Sequence, residues 1–172
     1  MGLCEIRRSG EKIEDHGDYL LCYKNEIPGQ YGVGFIVKAH LKPMIDEFIG
    51  VSDRIAVLNI ALPGYKQPIS LIQVYAPTEV SNIETKDSFY NELKVTLDCS
   101  HNTKIILGDF NSQIGKISNF KSKYIGPYTT GKRNQNGQRL IDFVHEQNLY
   151  IMNSFYNKKH TRSGLGFLQM AK

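Results

Sequence analysis

The sequence predicts a single mixed α/β layered domain, on three observations. Apolar runs bounded by Gly, Pro, Asn and Asp recur up to Tyr75, the pattern of short strands. Beyond Pro77 the period lengthens, and helix-like and strand-like segments alternate. A chain of 172 residues with 41% hydrophobic content is long enough to bury one real core and has ordinary globular composition.

The elements follow in order. Residues 19–23 form the first strand-like run, and residues 32–37 the second, after the turn-like Pro28-Gly29. Residues 55–60 and 69–75 flank a short polar linker holding Pro63-Gly64, which predicts an antiparallel pair. Phe89, Leu93 and Leu97 fall four apart, with Tyr90 beside them, so this stretch is an amphipathic helix with Ser81 or Asn82 as its cap. Residues 104–107 are a short buried strand, and a polar loop runs from 113 to 135. Leu140, Ile141, Phe143 and Val144 mark a second helix, and residues 149–152 another strand. Helices are expected outside a largely buried sheet. Residues 1–162 make up the domain; residues 163–172 have little pattern and are expected to form a poorly ordered tail.

Composition narrows the function classes. No apolar run is long enough for a transmembrane helix, and residues 1–10 lack the apolar stretch of a signal peptide. Cys4, Cys22 and Cys99 are odd in number and widely spaced, which argues against a disulfide framework or a zinc cluster. Reduced, buried cysteines and a nuclear or cytoplasmic setting are expected. The formal net charge is +4. Lys121, Lys123, Lys132, Arg133, Arg139, Lys158, Lys159 and Arg162 concentrate basic charge in the C-terminal part. Such a stretch reads as solvated surface unless a phosphodiester site lies nearby.

Few residues stand out chemically. Asp109 and Asn111 emerge two apart where the strand ends in Leu107-Gly108-Asp109-Phe110-Asn111, a spacing that points strand residues the same way. A carboxylate there can accept a proton or hold a water, and a carboxamide can donate to a phosphate oxygen. Asp and Asn also commonly terminate strands, so spacing leaves both readings open. Tyr75 ends its strand before Ala76-Pro77, as a phosphate donor or as an amphipathic residue at a core rim. Glu5 stands inside the apolar Leu3-Cys4-Glu5-Ile6. A metal would explain a buried acid there; a solvent-facing ion pair with Arg7 or Arg8 would explain an exposed one. Asp53-Arg54 reads as a charged surface turn. Asn136 reads as a helix N-cap, or as part of a polar loop where Lys132, Arg133 and Arg139 contact a nucleic-acid backbone. The five histidines show no metal-ligand spacing, and Gly32-Val33-Gly34 alone is too weak for a phosphate loop.

The ordered set of Cys4-Glu5-Ile6-Arg7-Arg8, Gly32-Val33-Gly34-Phe35, Ser52-Asp53-Arg54-Ile55, Val74-Tyr75-Ala76-Pro77, Gly108-Asp109-Phe110-Asn111 and Asn134-Gln135-Asn136-Gly137 resembles the endonuclease/exonuclease/phosphatase superfamily. Within it, the set resembles the branch of non-LTR retrotransposon endonucleases and craniofacial development protein 2-like proteins. The resemblance implies a four-layer α/β sandwich, helices outside two packed sheets. It implies that Glu5 binds Mg²⁺ or Mn²⁺, Tyr75 contacts the phosphate, Asp109 orients or activates water, and Asn111 holds the scissile phosphate. DNA is the implied partner and in-line phosphodiester hydrolysis the implied reaction; no membrane partner is expected.

Two departures qualify those implications. The family carries a strand with an Asn before the metal-binding Glu, and a closing Ser-Asp-His segment. Neither is found in this sequence, which also contains no Trp and reads Ser163-Gly164-Leu165-Gly166-Phe167 where relatives carry Trp-Thr-Trp. His160 precedes that point and does not replace the missing His. An incomplete sandwich and a truncated copy with impaired hydrolysis are therefore expected. The alternatives are a non-catalytic remnant binding nucleic acid or protein, or a phosphoesterase for a lipid or nucleotide.

Overall fold

The computed structural model describes residues 1–116 and 122–157, together with the backbone of Met170–Ala171. Lys121, Lys158, Lys159, His160, Arg162 and residues 163–169 lie outside the described residues, so the expectations placed on them are not addressed.

Four strands form an antiparallel sheet: β1 (Gly2–Cys4), β2 (Gly10–Asp15), β3 (Tyr19–Asn25) and β4 (Val33–Lys38), in the order β1-β4-β3-β2. A 3-10 segment, Ala39–Met44, leads into the second sheet. That sheet holds β5 (Ile45–Ser52), β6 (Ile55–Ile60), β7 (Ile69–Tyr75), β8 (Lys104–Asp109), β9 (Tyr150–Ile151) and β10 (Met170–Ala171), in the order β5-β6-β7-β8-β10-β9. The β6–β7 pair is antiparallel, as its linker predicts, whereas β7 and β8 run parallel. A crossover helix explains the difference, because parallel neighbours need a long connection. That helix is α1 (Ile83–Cys99), capped by Asn82, whose side chain accepts from Thr85 N at 2.9 Å. A second helix, α2 (Gln135–Glu146), follows the long loop.

β6 shows how the layers arise. Ile55 and Val57 face a core shared with Ile72, Val74 and Ile106 of the sheet, Phe89, Leu93 and Leu97 of α1, and Leu140 and Val144 of α2. Ala56, Leu58 and Ile60 face the opposite core, against Leu20, Cys22, Phe35 and Val37 of the first sheet. Alternate side chains point to opposite faces, and both faces are covered, so the strand reads as a continuous apolar run. Burying one such Leu or Ile contributes about 1.5–3 kcal/mol. The described residues thus stack as helices, sheet, sheet: three of the four layers of the implied sandwich.

Several details depart from expectation. β2 and β5 are edge strands with no strand-like apolar pattern, because β2 is almost wholly exposed and β5 alternates irregularly. Asn136 is not the cap of α2; Asn134 is, accepting from Gly137 N at 2.8 Å. Of the three cysteines, all free, only Cys22 is buried; Cys99 on α1 is exposed.

Candidate active site

The parallel register sets Tyr75 directly beside Asp109 at the common end of β7 and β8. Ala76 N donates to Asp109 O at 2.8 Å and extends the ladder one step further. Gly108 permits this approach. Its φ is +135°, and a Cβ there would lie 2.0 Å from the Val74 carbonyl oxygen, so no side chain fits. β8 then stops. Asn111 adopts a left-handed φ of +45°. Asp109 Oδ1 accepts from Asn111 N at 2.8 Å, and Asn111 Nδ2 donates to Ala76 O at 2.8 Å. The two residues are held together by this Asx-type turn rather than by strand alternation, which corrects the expectation from spacing.

Glu5 arrives from the other sheet. β1 is only three residues long, and at Glu5 the chain turns out with φ +56°. The side chain is exposed, so the burial of an acid in an apolar run does not occur here. Its Oε1 accepts from Tyr75 Oη at 2.9 Å, and its Oε2 accepts from Arg7 Nη2 at 3.1 Å. The predicted pairing with Arg7 forms; Arg8 pairs with Glu14 instead. The Tyr75 hydrogen bond, then Arg7, hold the Glu5 carboxyl below the usual range. Burial first, then the Glu5 hydrogen bond and the charges of Glu5 and Asp109, push the Tyr75 phenol up to about 12. Near neutral pH this pair is a carboxylate and a neutral phenol that donates to it.

No family model matches the chain. Craniofacial development protein 2 from Bos taurus is 26% identical over 165 residues, 94% of this chain and 27% of that protein. The same protein from Tragulus javanicus is also 26% identical over 165 residues, with 28% of its length covered. The chain thus spans little more than a quarter of the length of the curated relatives it matches. Among solved structures, the endonuclease domain of TRAS1, a telomere-specific non-LTR retrotransposon, superposes with a TM-score of 0.53 at 16% identity, over 99% of this chain and 66% of that one. The fold is endonuclease/exonuclease/phosphatase-like.

On this endonuclease-like fold the remaining predicted residues separate. Tyr75, Asp109 and Asn111 lie at one end of the second sheet, and Glu5 reaches Tyr75 from the first. Arg133 instead braces the backbone, its Nε donating to Ile114 O at 2.9 Å and its Nη1 to Gln138 Oε1 at 2.8 Å. Arg139 pairs with Asp87 of α1, in the groove between the helices. Lys132 is exposed on the loop before α2.

Two residues matter more than the sequence indicates. Arg54, read as surface charge, donates from Nη1 to Tyr75 O at 3.1 Å. Its guanidinium lies 4.1 Å from the Tyr31 ring centroid and 5.7 Å from that of Tyr75. Asn136 is buried, and its Nδ2 donates to Asn111 O at 2.9 Å and to Pro77 O at 3.0 Å. One carboxamide thereby ties the loop after β7 to the loop after β8. No local spacing signals either role.

Among the described residues no three His, Cys, Asp or Glu side chains form a metal-binding group. Cys4 is an unsuitable ligand, because burial pushes its thiol up and its Sγ already meets Gln73 Nε2 at 3.1 Å and Val74 O at 3.4 Å. Glu5 is an exposed, ionised carboxylate of the type hard cations such as Mg²⁺ or Mn²⁺ use, but both of its oxygens already accept protein hydrogen bonds.

Proposed function

We propose that this chain forms the core of a metal-dependent phosphodiester hydrolase of the DNA endonuclease type. The observation that carries the reading is the Tyr75–Glu5 hydrogen bond, formed beside Asp109 and Asn111 at one sheet end. Tyr75 stays protonated across the physiological range and donates to an anionic oxygen. Asp109 uses Oδ1 to hold the Asn111 turn, which leaves Oδ2 to accept a proton from an attacking water. Asn111 presents a carboxamide that adds no negative charge next to phosphate. Mg²⁺ or Mn²⁺ held by Glu5 would offset charge on the phosphate and leaving oxygen. The rest is positioning of these groups in line with the scissile bond. The net charge of +4 is mildly favourable to a polyanionic partner, and DNA is the one this reading takes.

The test is nicking of supercoiled plasmid with added Mg²⁺ or Mn²⁺. Cleavage that disappears in Asp109→Ala supports the reading; cleavage that survives it, or fails with both metals, rejects it. One observation favours a second reading, nucleic-acid binding without hydrolysis: both Glu5 oxygens already accept protein hydrogen bonds. Salt-dependent DNA binding without nicking, and without a Mg²⁺-induced rise in Tm, would select that reading.

A further inference from the structure

The second sheet also opens to solvent at the end far from Tyr75 and Asp109. Ser70 stands five residues before Tyr75 on β7, a separation of roughly 17 Å at the rise of a strand. Its partner across β6 is Asn59. Next to Asn59, between β5, β6 and the C-terminal half of α1, lies a cleft of about 440 Å³. We infer that this cleft is a binding site for a small uncharged aliphatic molecule carrying one carbonyl group. The cleft shares no residue with the phosphodiester site proposed above.

One oriented donor marks the cleft as a site. Asn59 lines it and is only 7% exposed. Ser70 Oγ accepts from His101 N at 3.0 Å and gives its proton to Asn59 Oδ1 at 2.8 Å. That relay fixes the carboxamide, with its oxygen toward Ser70 and its Nδ2 turned away. Nδ2 has no hydrogen-bond partner among the described residues. Asn25 Nδ2 is also unpaired but is sealed inside the protein; Asn59 Nδ2 is not sealed, and the cleft is the space that Asn59 lines.

The rest of the wall is apolar or already bonded. Ile49 and Val51 of β5, Val57 of β6 and Val95 of α1 supply aliphatic surface. Thr96 Oγ1 donates to Glu92 O at 2.9 Å and Ser100 Oγ to Thr96 O at 2.6 Å, so both hydroxyl protons are spent on backbone carbonyls. A ligand therefore meets hydrocarbon and one N–H, the makeup of small-molecule sites in which a few polar groups fix orientation. That N–H calls for an acceptor. Glu92, tied to Ser52 Oγ at 2.8 Å, places a carboxylate in the wall and repels an anionic acceptor such as that of a fatty acid. A neutral carbonyl, with lone pairs and no proton to place, fits. An extended peptide fits less well. Register shifts near both ends of β5, and Glu11 accepting from Gly50 N at 3.1 Å, obstruct strand addition along this edge.

The experiment is an NMR titration of the full chain, labelled with ¹⁵N and with ¹³C in its methyl groups, against 2-octanone and, separately, octanoate. The ketone is expected to shift the Asn59 side-chain amide and the Val57 and Val95 methyls, and to leave Tyr75 and Asn111 in place. Octanoate is expected to bind at least tenfold more weakly. Asn59→Asp keeps an acceptor for Ser70 and removes the donor, and should weaken ketone binding at least tenfold. Val95→Trp, at an exposed position of α1, should obstruct the mouth and weaken binding as much, with the spectrum elsewhere unchanged. An Asn59 amide that stays put at saturating ketone, or equal affinity for the two probes, would overturn the site. Wild-type affinity in Val95→Trp would overturn it as well, and this variant decides the matter if Asn59→Asp does not fold.

Discussion

Tyr75 donates to Glu5 across 70 residues of sequence, at 2.9 Å, and so joins the end of the first sheet to the end of the second. The contact has consequences in both directions of pH. The Glu5 carboxyl is held below its usual value, so its share of stability is present above the unfolded-state pKa and is lost as pH falls through the folded one. Tm of the wild type should therefore fall on acidification below about pH 4.5, the ordinary glutamate range. Tyr75→Phe should flatten that limb, because Arg7 remains as the smaller contributor. An equal slope in both proteins would show that Tyr75 does not set the Glu5 carboxyl.

The phenol moves the other way. Its folded-state pKa of about 12 lies above the unfolded value, so its share of stability is present below about pH 10 and is lost as pH rises toward the folded value. Arg54 opposes the upward push. Arg54→Ala should move the Tyr75 phenol still higher, read as a later phenolate absorbance step that is absent in the Tyr75→Phe background. A lower phenol pKa in Arg54→Ala would contradict the geometry.

Gly108→Ala tests the close approach of β7 and β8. The added carbon would meet backbone, not a flexible side chain, at a φ that L-residues avoid. Overpacking and strain of this kind together cost about 3 kcal/mol or more. Urea unfolding should show this loss. A variant within about 0.5 kcal/mol of wild type, the range of neutral surface changes, would mean the strand ends can separate freely.

Asn136→Ala removes one donor group from two carbonyls, those of Asn111 and Pro77. Leaving buried acceptors unpaired costs about 1–3 kcal/mol each, so a loss of about 2–6 kcal/mol is expected in chemical denaturation. Asn136→Asp should do no better, since a carboxylate cannot donate. Equal stability of Asn136→Asp and wild type would exclude the tie between the two loops.

The sequence by itself determined the elements whose pattern is local. β6 and β7 show as apolar runs between turn residues, α1 by Phe89, Leu93 and Leu97 four apart behind Asn82, and the end of β8 by Gly108-Asp109-Phe110-Asn111. Each depends on periodicity or capping within one segment, which a linear reading can detect. Tertiary structure alone decided what those segments meet. It turned Glu5 out of an apolar run and onto Tyr75, raised Arg54 from surface charge to a support for Tyr75, and moved Asn136 from cap to tie. Hydrogen bonds between residues tens of positions apart follow from sheet register and the twist of packed layers, and spacing along the chain contains neither.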